Sequence, residues 1–153
     1  MNVNFDTENV MVAVPVTGAT LEESRAQWAA ATRAGADLVE WRLDYLGEEV
    51  AAEDVAAHAL EQRAEHGKPV LATYRTEADG GKASFASTAA YREALLAVAT
   101  WADLVDVEVS VPGSAQIIRD LTATVPVVAS FHDFASGPSV GITKQLLEHM
   151  GEL

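Results

Sequence analysis

Five short apolar runs recur along the chain, and each is followed by a segment whose apolar positions repeat at helical spacing. Val10 to Val16 is the first run, with Pro15 inside it. Thr20-Leu21-Glu22-Glu23 then opens a helix through Trp28 to Arg33, with Thr20 as cap and Glu23 in capping-box position. Gly35 stops that helix, Asp37 to Trp41 predicts the second strand, and alanine-rich Ala51 to Glu65 predicts the second helix, ending at Gly67. Pro69 to Tyr74 reads as strand three, followed by a polar, glycine-containing loop from Thr76 to Phe85 and a helix expected to run from a Thr88 cap to Thr100. Leu104 to Val109 predicts strand four and Ser114 to Leu121 helix four. Val125 to Phe131 predicts a buried fifth strand, and Ser139 to Met150 a fifth helix with Leu146, Leu147 and Met150 at helical spacing.

Continuously apolar strands that alternate with helices predict an α/β fold with a parallel sheet and right-handed crossovers. Two architectures satisfy that pattern: part of a (β/α)8 barrel, or an open five-stranded sheet covered on both faces. A closed barrel takes about 250 residues, so 153 residues supply five βα units, an incomplete barrel with two unpaired edges and an uncovered inner face. With no linker and no low-complexity tract, residues 1–153 read as a single domain large enough to bury a sizeable core.

Acidic residues outnumber basic ones 23 to 10, and the lysines are only Lys68, Lys82 and Lys144. The resulting negative field disfavours nucleic acid and anionic membranes as partners. Together with abundant alanine, it leads us to expect a halophilic cytoplasm, where concentrated salt screens the self-repulsion. The chain has no cysteine, its opening MNVNFDTEN lacks a basic segment followed by an apolar one, and no apolar run approaches the ~18 residues of a membrane span. A soluble, cytoplasmic protein is expected.

Candidate chemistry gathers where the strand-like runs end: Glu40-Trp41-Arg42, Arg75 with Asp79-Gly80-Gly81, and Phe131-His132-Asp133-Phe134. Loops at the carboxyl ends of parallel strands can aim side chains at one point, which is how a barrel builds its active face. By the two-residue period of a strand, Trp41 points away from Glu40 and Arg42, into the core. Gly80 and Gly81 are expected to supply positive φ for a turn. Asp106 and Glu108 are inward polar groups or supports for the site. His58, His66 and His149 fall on or beside predicted helices and read as surface residues. Four scattered histidines without cysteine form no plausible metal site, so cofactor-free chemistry is expected.

Three segments carry a resemblance: Gly35-Ala36-Asp37-Leu38-Val39-Glu40-Trp41-Arg42-Leu43-Asp44, Thr73-Tyr74-Arg75-Thr76-Glu77 through Gly80-Gly81, and Ser130-Phe131-His132-Asp133-Phe134. In order and strand position they resemble type I 3-dehydroquinate dehydratase over nearly the whole chain. The resemblance implies a (β/α)8 barrel of the shikimate pathway, in which a lysine forms an imine with the C3 ketone of 3-dehydroquinate. A histidine then removes a C2 proton, and the C1 hydroxyl leaves as water. It further implies that His132 is the catalytic histidine, that Glu40 and Arg42 hold substrate hydroxyls, and that Arg75 contacts substrate. The acid that orients the histidine falls at Asp79, one methylene shorter than the family's usual glutamate, and is expected to reach His132 through water or a loop shift. Glu77, two residues off register, is the weaker candidate. The family's imine-forming lysine lies on strand six, beyond Leu153; Lys144, the nearest by sequence, is placed on a helix facing solvent. The resemblance therefore implies the amino-terminal part of such an enzyme, whose remaining strands belong to a longer or second chain, with a homo-oligomer or a complementing chain as the expected assembly. The alternative is a non-catalytic, self-associating half-barrel or metabolite-binding remnant.

Overall fold

The computed structural model describes residues 10–47, 49–134 and 137–151. The opening segment 1–9 and the side chain of His149 lie outside the described residues. Five strands, β1 (Ala13–Val16), β2 (Leu38–Arg42), β3 (Val70–Thr73), β4 (Leu104–Glu108) and β5 (Val127–Ser130), alternate with helices α1 (Leu21–Arg33), α2 (Ala52–His66), α3 (Thr88–Val98), α4 (Ser114–Thr122) and α5 (Val140–Gly151). All pairings are parallel and the order is sequential, β1-β2-β3-β4-β5.

Sequential order decides between the two architectures. Right-handed crossovers that always step the same way put every connecting helix on one face, whereas a sheet covered on both faces must reverse direction. Outward side chains Val39, Trp41, Val70, Ala72, Val105 and Val107 accordingly join Trp28, Leu95, Ile118 and Leu121 of the helices in one core. Inward side chains form a separate layer: Leu38, Leu71 and Leu104, with Met11 and Val128 against them. Farther along the strands the inward positions turn polar, at Glu40 and Arg42, Thr73 and Arg75, Asp106 and Glu108, and Ser130.

Local signals fix the helix ends. Thr20 Oγ1 accepts the Glu23 N–H at 3.1 Å, and Glu23 returns the bond to the Ala19 N–H at 2.8 Å. Gly67 closes α2 in the left-handed conformation that a side chain would disfavour. Two carboxylates pin the strand starts: Asp37 accepts the Val12 N–H at 2.8 Å, and Asp103 accepts the Val70 N–H at 3.0 Å while pairing with Arg63 of α2 at 2.7 Å.

Several expectations need correction. The cap of α3 is Ser87, whose hydroxyl accepts the Ala90 N–H, and Thr88 is already the first helical residue. β5 is half-buried, because one of its edges has no neighbouring strand among the described residues. The apolar side of α5 is only partly covered: Leu146 and Met150 are half-buried, while Leu147 is exposed. His58 is 4 % exposed, its ring tilted against Trp41 with centroids 5.3 Å apart, and burial pulls its pKa below the ordinary value, helped by Arg25. It lies on the inner side of α2, which sequence position alone had not separated from the outer. Trp41 itself meets Trp28 edge-on at 5.7 Å and Trp101 at 5.9 Å, as its alternation with Glu40 and Arg42 requires.

Truncating this hub, Trp41→Ala, should cost roughly 3–5 kcal/mol in urea unfolding, against about 1 kcal/mol for the cap substitution Thr20→Ala. Equal losses would mean that Trp41 does not organise the outer core.

Candidate active site

The mouth is built at the carboxyl ends of β2 to β5. Glu40 and Arg42 share the inner face of β2, and both are half-buried. Arg42 does not pair with Glu40. Its guanidinium forks onto Asp44, Nε to Oδ1 and Nη2 to Oδ2, both at 2.8 Å. That bidentate bond raises the Arg42 pKa further and fixes the plane of the fork. Asp44 also accepts the Arg75 N–H at 3.4 Å and the Lys82 N–H at 3.1 Å, so it ties β2 to both ends of the loop after β3. Tyr45 lies under two cations, with Lys82 Nζ 4.0 Å and the Arg42 guanidinium carbon 5.1 Å from its ring centre.

Arg75 is 5 % exposed and sits among acids of the next strand. Its Nη1 lies 3.1 Å from both Asp106 Oδ1 and Glu108 Oε1, and donates to Ser130 Oγ at 2.8 Å. Among the described residues these bonds all fall on Nη1, so Nη2 and Nε keep donors for a ligand. Ser130 in turn donates to Asp106 at 2.9 Å. Burial pushes the Asp106 carboxyl above its ordinary value of 3.8, and Arg75 and Ser130 only partly offset that. Glu108 accepts from Thr76 N–H, Thr76 Oγ1 and Arg75, and its own N–H donates to the Tyr91 hydroxyl, whose pKa burial holds well above the usual value.

Asp79 ends a 3-10 turn (Glu77–Asp79) and is 3 % exposed, while Glu77 faces solvent. Its Oδ1 accepts from Ser110 Oγ at 2.8 Å, and its Oδ2 accepts the His132 N–H at 3.2 Å. The same Oδ2 lies 3.6 Å from His132 Nδ1, just outside hydrogen-bond range. The shorter acid thus reaches the histidine's backbone directly but stops short of its ring, whose Nδ1 has no hydrogen-bond partner among the described residues, in keeping with the reach expected from its length. The two glycines serve different ends. Gly80 takes φ +82, with the Phe134 ring 2.8 Å from where its Cβ would be; Gly81 has no positive φ, but a Cβ there would run into the Arg75 carbonyl. Phe134 also stacks on the His132 ring at 5.9 Å.

All five predicted site residues come to this one mouth. Sequence reasoning passed over Asp44, Thr76, Ser110 and Ser130. Ser130 continues the inward alternation of β5 from Val128, whereas Asp44 lies in the 3-10 turn Leu43–Tyr45 and Ser110 in the turn after β4, where no strand period marks them. The lysines do not complete the site. Lys82 is exposed over Tyr45, and Lys144 is exposed on α5, 3.8 Å from Glu148. An apolar cavity of about 670 Å³ between α2 and α3, lined by residues such as Leu46, Val55, Val98 and Trp101, lies on the helical side, away from these groups.

A five-stranded parallel sheet of sequential order, with its helices on one face and acids, arginines and a histidine at its carboxyl ends, is the arrangement of part of a (β/α) barrel, a fold that hosts acid–base catalysis at that face. The family model for type I 3-dehydroquinase matches residues 12–153. A 3-dehydroquinate dehydratase of Enterococcus faecalis is 32 % identical over 145 residues, covering 90 % of this chain and 56 % of the relative. One of Dehalococcoides mccartyi is 36 % identical over 118 residues, covering 76 % and 48 %. The solved 3-dehydroquinate dehydratase of Enterococcus faecalis superposes with a TM-score of 0.82 at 31 % identity, over 94 % of this chain and 62 % of that one. The chain belongs to the type I 3-dehydroquinase family, and it spans a little over half the length of the Enterococcus faecalis relative.

The raised Asp106 carboxyl has a stability consequence. A carboxylate whose folded pKa exceeds its unfolded one stabilises the fold below the unfolded value and loses that contribution as pH rises through the folded value. The unfolding free energy of the wild type relative to Asp106→Asn should therefore fall as pH rises from about 4 towards 7. A difference that stays flat or rises in urea titrations would contradict a desolvated Asp106.

Proposed function

We propose that this chain carries the base and the hydroxyl-binding side of a 3-dehydroquinate dehydratase, within the amino-terminal part of one barrel domain. His132 is the general base for the C2 proton of 3-dehydroquinate and returns that proton to the departing C1 hydroxyl, which leaves as water, giving 3-dehydroshikimate. Asp79 holds the histidine, and Arg42, Glu40 and the free donors of Arg75 bind the substrate's oxygens. The observation that carries the reading is the Asp79 carboxylate, buried and bonded to the His132 N–H, with Nδ1 3.6 Å away. A shift of a few tenths of an ångström would join carboxylate and imidazole, setting ring and tautomer as a base requires.

The electron sink in this reading is an imine between the C3 ketone and a lysine, because a protonated imine acidifies the neighbouring carbon far more than a ketone. A lysine in that role needs a desolvated setting, and neither Lys82 nor Lys144 has one. The lysine belongs to the family's sixth strand, supplied by a complementing chain segment or a second subunit. The acidic composition, 23 carboxylates to 10 basic groups, supports a halophilic cytoplasm as the setting.

Reconstitution tests this. The chain alone, treated with 3-dehydroquinate and borohydride, should gain no adduct by intact mass. Mixed with the later strands of the Enterococcus faecalis relative, it should dehydrate the substrate, and His132→Ala should cut that rate by about 10²–10⁴. Binding without turnover in the mixture would favour a non-catalytic, metabolite-binding half-barrel. An adduct on the chain alone would transfer the covalent role to one of its own lysines.

A further inference from the structure

One fully buried carboxylate at the mouth contacts neither the histidine nor solvent. Glu108 is 0 % exposed, and three donors from two consecutive residues meet it. Oε1 accepts the Thr76 N–H at 2.8 Å and lies 3.1 Å from Arg75 Nη1, while Oε2 accepts Thr76 Oγ1 at 2.6 Å. Thr76 is also the closure point of the loop that carries Asp79. Its carbonyl accepts the N–H of Asp79 at 3.1 Å and of Gly81 at 2.7 Å, and the Arg75 carbonyl beside it accepts the Ala83 N–H at 3.0 Å. Any displacement of Thr76 therefore carries Asp79 with it. A charge buried this deeply is costly unless its lone pairs are met, and a purely packing role would be filled better by an apolar side chain. Saturated, directional bonds to one residue pair are what orientation demands.

We propose that Glu108 is a positioning residue: by gripping Thr76 and Arg75 together, it sets the loop that holds Asp79 against His132 and turns the remaining Arg75 donors toward the mouth. The significance of that geometry rests on the dehydratase reading, but the geometry is measurable without substrate.

Amide hydrogen exchange and the His132 amide proton shift, recorded on the labelled 153-residue chain, test it. In Glu108→Ala, exchange at Thr76, Asp79 and Gly81 should accelerate at least about tenfold while Val39 and Val105 exchange as in the wild type. The His132 amide proton should move upfield as its bond to Asp79 loosens. Glu108→Gln, whose amide oxygen can still accept from Thr76, should restore most of the protection. Loop amides as protected as in the wild type would overturn the proposal, as would acceleration at Val39 and Val105 in the same proportion. If Glu108→Ala does not fold, Thr76→Val removes one donor without opening a cavity and must loosen Asp79 and Gly81 relative to Val39; unchanged exchange there overturns the proposal equally. Failure of 3-dehydroquinate to bind would overturn the dehydratase reading and leave these amide measurements as they stand.

Discussion

The Arg75 guanidinium, buried against Asp106, Glu108 and Ser130, is the contact on which the mouth depends. One cation faces two carboxylates from the next strand, with Glu40 adding a further negative charge that acts on Asp106. Asp106 carries the cost: burial, with a smaller push from Glu40, makes its carboxyl resist ionisation despite Arg75. Such a cluster is weak evidence for stability, because desolvating its members offsets much of their mutual attraction. Its consequence is orientation. Arg75 is fixed through one nitrogen, Thr76 is fixed through Glu108, and the loop from Thr76 to Gly81 leaves the sheet in one direction.

That loop connects the strands across the mouth. Asp44 takes the backbone N–H of Arg75 at its start and of Lys82 at its end, while Asp79 at its tip bonds Ser110 after β4 and His132 after β5. Four successive strand ends are thus joined by side-chain carboxylates reaching backbone and hydroxyl donors. The pattern explains how charged groups can be buried along an inner face with no further strand beside β1 or β5 among the described residues: Arg75, Asp106 and Glu108 are met by neighbours on adjoining strands, while the Thr73 hydroxyl is buried without a partner. Beneath them, Leu38, Leu71 and Leu104 form the apolar floor. The division between floor and mouth runs along every central strand.

The strands and helices were legible because a parallel sheet writes its core into continuous apolar runs, and because caps such as Thr20 and breakers such as Gly67 act locally. Sheet order was not, since the five runs between Val10 and Phe131 fit both a curved and a doubly covered sheet until the pairing is known. Glu40, Arg42, Arg75, Asp79 and His132, which the fold gathers at one mouth, stood out in the sequence because they lie at strand ends in motifs. Ser110, Ser130 and Asp44 were missed because a serine or an aspartate after a strand is common, and only the partner across the mouth gives it a task. His58 was misread for a related reason: one polar residue on an alanine-rich helix gives no sign of which face it occupies, and the Trp41 ring that covers it belongs to the preceding strand.

The central claim is that this ordered mouth recognises a polyhydroxy keto acid through the groups placed at its strand ends. A titration of the labelled chain with 3-dehydroquinate, followed by amide chemical shifts, tests it most directly. The account predicts saturable shifts at Glu40, Arg42, Arg75 and His132, lost in Arg75→Ala, with the amides of α2 and α3 unmoved. Shifts that are absent in a folded chain, or that gather on the helical side between α2 and α3, would contradict it.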